Sequence, residues 1–97
     1  MDSEPEEHAP YFTNELPARR SLENGRTIAL GVSFGGIPRP RVQWTKHSGH
    51  ESTYGYTSQL KDVSVPGRYT VTISNTLGPE SSSCSVEEGK RSACNVM

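Results

Sequence analysis

Residue types able to do chemistry are few here and fall in two places. The first is "KHSGHES", where His47, His50 and Glu51 stand close together. Imidazoles beside a carboxylate could begin a zinc site, but zinc needs a third or fourth ligand at fixed geometry. No Cys or His stands at a spacing that completes one, so the segment reads as a polar loop. The second is the pair Cys84 and Cys94, which form no C-x-x-C and are too few for a disulfide scaffold. Serines are plentiful, yet no G-x-S-x-G elbow occurs and no His or Asp partner can be assigned to any of them. No glycine-rich phosphate loop precedes a helix. The sequence therefore supports no catalytic residue, cofactor site or metal site, and the chain is not expected to be an enzyme.

The totals narrow the class further. A chain of 97 residues suits one small domain. Its apolar fraction is only 31%, but those residues cluster between Tyr11 and Val86. The formal net charge of −1 gives no global field to attract nucleic acid or an anionic membrane. The opening "MDSEPEEHA" carries four acids and no Lys or Arg, unlike a signal peptide. No apolar run is long enough to span a membrane. Asn14, Asn24, Asn75 and Asn95 all miss the N-x-S/T pattern. Few cysteines and no sequon point to an intracellular chain.

What positions the side chains is period-two alternation, with no helical periodicity. "RTIALGVSF" puts Ile28, Leu30, Val32 and Phe34 on one face. "RVQWT" does the same for Val42 and Trp44, "YTVTIS" for Tyr69, Val71 and Ile73, and "SSCSVE" for Cys84 and Val86. Turn formers divide the runs: "ENGR", "GGIPRP", "HSGHES", "VPG" and "NTLGPE". Apolar-in, polar-out strands predict antiparallel sheets buried on one face, as a sandwich or small barrel. Six or seven strands are expected. "APYFTNEL" is the first, bent at Pro17, followed by 26–34 and 40–46. One or two more lie within 53–63, then a hairpin of 68–75 and 80–87. Residues 1–9 are expected to be a flexible acidic tail, 10–88 the domain, and 89–97 a second flexible tail.

Two quoted stretches resemble the intermediate (I-set) immunoglobulin-like domain. "LGVSFGGIPRPRVQW", Leu30 to Trp44, is similar to the family's Leu-x-Cys-x-aliphatic strand, Gly-x-Pro-x-Pro turn and aliphatic-x-Trp. "GRYTVTISNTLG", Gly67 to Gly78, is similar to its Gly-x-Tyr-x-Cys strand with a following Asn and Gly. The resemblance covers about residues 10 to 88 and implies an all-β immunoglobulin-like sandwich. It implies a core of Leu30, Val32, Trp44, Leu60, Tyr69, Val71 and Cys84. In it Tyr69 makes a tyrosine corner to backbone near Val63 or Val65. Pro38 and Pro40 stiffen the turn into the third strand, and Gly78 supplies a positive φ in the last hairpin.

Two departures from the family follow. Both positions of its disulfide are valine, Val32 and Val71. Losing a bridge costs about 2–5 kcal/mol. Burying two aliphatic side chains, each worth about 1.5–3 kcal/mol, offsets part of that. Such a domain does not depend on an oxidising compartment. The interval from Trp44 to Tyr69 is also short, so the middle strands are expected to be abbreviated. "SQLKDV" is the fifth strand with Leu60 and Val63 inward, and the edge strands before it are reduced to a loop.

Cys84 reads as a buried thiol acting as a small hydrophobe rather than a redox group. Beyond the acidic start, ten Lys and Arg face seven acids. Arg19, Arg20, Arg26, Arg39 and Arg41, with Lys46, are a candidate basic face for an acidic partner or for the chain's own acidic tail; the competing reading is a solvated strand face. The resemblance extends to titin-like, obscurin-like and myosin light chain kinase-like muscle and cytoskeletal domains. It implies a structural spacer that binds other proteins, flanked by further domains of a longer cytoplasmic chain, without nucleic acid or direct membrane binding. The alternative is an extracellular module of an adhesion molecule or receptor.

Overall fold

The computed structural model describes residues 6–22, 26–46 and 49–89. The expectations for His47, for Cys94 and for most of both tails fall outside them. The described residues form eight strands: β1 (His8–Asn14), β2 (Arg19–Leu22), β3 (Ile28–Ile37), β4 (Arg41–Trp44), β5 (His50–Tyr54), β6 (Thr57–Val63), β7 (Gly67–Asn75) and β8 (Gly78–Glu88). They build two four-stranded sheets, ordered β1-β3-β6-β5 and β2-β8-β7-β4.

Alternation decides which face each sheet buries. Leu30, Val32 and Phe34 of β3 point into the core, as do Tyr69, Val71 and Ile73 of β7 and Cys84 and Val86 of β8. Leu16, Leu22, Trp44, Leu60 and Val63 complete a core from which water is nearly excluded. One large apolar side chain buried there stabilises by about 1.5–3 kcal/mol.

Three features depart from the sequence reading. β1 starts at His8, one residue ahead of the expected first strand, where the Asn75 amide donates to the His8 carbonyl at 3.0 Å. After Asn14 the chain crosses to the other sheet, where the Leu16 amide donates to Ser82 Oγ at 3.1 Å. There it forms β2, parallel to β8, a strand the sequence did not reveal. Third, the segment expected as a loop contains β5, antiparallel to β6. Every β5 residue is exposed, so no alternation marks it. The shortening lies between Trp44 and His50, and β4 is left as a sheet edge.

Leu60 and Val63 both face inward although three positions separate them. An extra residue in β6 makes this possible. Ile28 pairs with Val63 and Leu30 with Leu60, so two steps on β3 meet three on β6. Asp62, at φ 59°, takes the left-handed conformation that a short polar side chain tolerates. At the β7–β8 hairpin, Asn75 pairs with Gly78 around a two-residue loop, and Gly78 has φ 137°. The Tyr69 hydroxyl donates to the Val65 carbonyl, the tyrosine-corner contact that the resemblance implies.

Trp44 sits at the centre of this packing, 2% exposed. Trp44→Ala should cost about 3–5 kcal/mol, a large share of the roughly 5–15 kcal/mol that holds a small domain together. Urea denaturation should give a midpoint far below that of the parent, or no cooperative transition. An unchanged midpoint would contradict the packing described.

Candidate interaction surface

The seven core residues drawn from the resemblance are all buried. Leu30 is 1% exposed, Val32 3%, Trp44 2%, Leu60, Tyr69 and Val71 0%, and Cys84 1%. They are a scaffold rather than a site. Val71 pairs with Trp44 in one sheet, and Val32 pairs with Ser58 in the other. Trp44 Nε1 donates to Ser58 Oγ at 3.0 Å, so a buried hydrogen bond joins the sheets beside both valines. Ser58 also lies 2.8 Å from the Thr53 hydroxyl. The sequence reading passed over Ser58, although its place two residues before Leu60 puts it on the inward face.

Cys84 is a free thiol, and no disulfide occurs among the described residues. Burial raises its pKa above the ordinary value, and the positive charge of Arg20 offsets part of that rise. No group of three or more His, Cys, Asp or Glu suited to a metal occurs among the described residues. His50 Nε2 lies 4.0 Å from Asp62.

The five candidate arginines do not share one face. β2 and β4 are opposite edges of the same sheet. On β2, Arg19 lies 3.8 Å from Glu87, and Arg20 Nη1 donates to the Ala29 carbonyl at 3.3 Å. Arg26 is exposed ahead of β3. Arg39 and Arg41 are together, lining a shallow groove with Pro38, Ser74, Asn75 and Thr76. Lys46 stands apart, its Nζ 5.7 Å from the Tyr69 ring centroid in a cation–π contact.

A second surface went unnoticed in the sequence. Tyr11 (52%), Ile37 (41%), Tyr56 (42%) and Tyr54 (86%) are large apolar residues left exposed. Tyr11, Ile37 and Tyr56 line one depression with Phe34, Gly35 and Gly36. Its floor depends on a glycine, because a Cβ on Gly35 would stand 2.4 Å from the Tyr11 ring. Tyr56 packs edge-on against Phe34, with centroids 5.8 Å apart. Exposed tyrosines grouped in this way are typical of protein interfaces. Only strand pairing brings residues 11, 37 and 56 together, so no local signal could have found them.

Two packed sheets, a buried Trp–Tyr core and open edges define a β-sandwich module that presents surfaces rather than a cleft. The fold is an immunoglobulin-like β-sandwich, and structural neighbours share it. A chimeric titin Z1Z2 carrying an exogenous decorin peptide superposes with a TM-score of 0.79 at 21% identity, covering 90% of this chain and 100% of that chain. A titin–obscurin-like 1 Ig complex gives 0.74 at 19% identity, covering 89% and 99%. Titin Z1Z2 domains in complex with telethonin give 0.75 at 22%, covering 88% and 50%. In sequence, the chain is 37% identical to mouse leucine-rich repeats and immunoglobulin-like domains protein 3 over 73% of its length. The human counterpart is 35% identical. The chain spans 7% of the length of each of these curated relatives. No family model matches the sequence.

Thermal unfolding should give the same midpoint with and without reductant, since valines stand at both bridge positions; a large drop on reduction would reveal a disulfide. Cys84 also predicts a pH effect. Its folded pKa is raised, so above the unfolded value near 9 the unfolded chain releases a proton that the folded one keeps. Stability then falls as pH rises past about 9. Urea midpoints measured from pH 8 to 10 should fall more steeply for the parent than for Cys84→Ala; parallel curves would remove Cys84 as the cause.

Proposed function

We propose that this domain is a non-catalytic interaction and spacer module of a larger cytoskeletal or muscle scaffold protein. The exposed patch of Tyr11, Ile37 and Tyr56 carries the reading. Aromatic side chains give a partner large contact area at low conformational cost. The edges of β4 and β5 offer further backbone groups for an added strand. Two neighbouring structures are complexes in which titin domains meet telethonin or an obscurin-like 1 Ig domain, and the same kind of docking is proposed for this chain. Valines at both bridge positions support a reducing cytoplasm, because the core closes without oxidation.

A second reading rests on the sequence relative. Its 37% identity exceeds that of the structural neighbours just described and favours a module of a leucine-rich-repeat and immunoglobulin-domain protein. Fractionation of cells expressing the parent protein separates the two. Recovery in the detergent-insoluble cytoskeletal pellet supports the scaffold, whereas labelling by an impermeant surface reagent supports the second reading.

For the interaction itself, an affinity capture is compared across variants. Tyr11→Ala with Tyr56→Ala should lose the captured protein while the domain stays folded. Capture undiminished by that double change, or no specific capture at all, would sink the proposed role of the patch.

A further inference from the structure

Building on the reading of the domain as an interaction module, we propose that the Arg39–Arg41 groove is a docking site for an acidic peptide, occupied in cis by residues 1–7. The groove lies between the β3–β4 turn and the β7–β8 hairpin, with Pro38, Asn75 and Thr76 in its walls. Arg39 and Arg41 are exposed, and neither has an ion-pair partner among the described residues. Arg19, by contrast, is spent on Glu87. Two free guanidiniums beside the hydroxyls of Ser74 and Thr76 form a donor set matched to carboxylates.

The chain itself brings carboxylates to this place. Asn75 Nδ2 donates to the Pro38 carbonyl at 2.9 Å and to the His8 carbonyl at 3.0 Å. One side chain therefore joins the groove wall to the start of β1. His8 pairs opposite Ile37, so the residues before it leave over the end of the sandwich that holds the groove. Those residues include Asp2, Glu4, Glu6 and Glu7, and no Lys or Arg. Glu6 and Glu7 stand exposed, with Glu6 3.5 Å from the His8 imidazole. Seven residues can span at most roughly 23 Å. The tether provides an effective concentration on the order of millimolar, so contacts too weak to hold a free peptide can hold this one. A partner with an acidic extended segment would have to displace it.

The test places a spin label on Ser3→Cys in a Cys94→Ser background of the full chain and reads backbone amide broadening by NMR. Amides of Arg39, Arg41, Ser74 and Thr76 should broaden in low salt. The broadening should be lost in Arg39→Gln/Arg41→Gln and at about 1 M salt, where the screening length falls to about 3 Å. Broadening unchanged by either treatment would reflect the tether alone and overturn the proposal, as would no broadening. Broadening that appears only when labelled and unlabelled copies are mixed would assign the groove to a second copy and overturn the cis occupancy. None of these outcomes bears on the interaction reading, which is tested at the tyrosine patch.

Discussion

Two sheets that face each other without a covalent link need something to fix how one sits over the other. Here that is the hydrogen bond from Trp44 Nε1 to Ser58 Oγ. Apolar packing is strong but tolerates sliding, whereas a buried donor has one acceptor and loses its full desolvation cost if displaced. Val32 and Val71 beside it fill the interior, and the bond sets the alignment. Tyr69, the bulge at Asp62 and the inward turn of Val63 all work within that alignment.

Much of the fold was legible because burial writes itself into alternation. β3, β4, β7 and β8 each carry their inward residues at every second position. β2 and β5 were missed for the opposite reason. Three of four residues in β2 and all of β5 are exposed, so pairing alone makes them strands. The motif glycine, tyrosine and tryptophan were readable because each does a backbone or packing task that few other residues can do. The surfaces were harder. Arg19 and Arg20 are divided from Arg41 between opposite edges of one sheet, while tyrosines distant in sequence meet. Sheet topology decides both results, and the order of residues along a strand does not encode it.

Asn75 illustrates how a motif position acquires its reason. In the sequence it is one residue of a hairpin signature. In the structure its amide nitrogen serves two carbonyls from distant segments, and its oxygen accepts the Leu77 amide at 2.8 Å. A single side chain thus closes the hairpin and locates the chain's entry into the sandwich.

The short β2 has a consequence of another kind. It runs parallel to β8, with Arg19 to Leu22 opposite Ser85 to Glu88. If neighbours in a longer chain pull on the two ends, β2 is drawn along its axis one way and β8 the other. The bonds between them are then loaded in shear and must yield together, rather than opening one after another like a zip. Four residues, of which Leu22 alone is buried, would thereby resist such a pull as one unit.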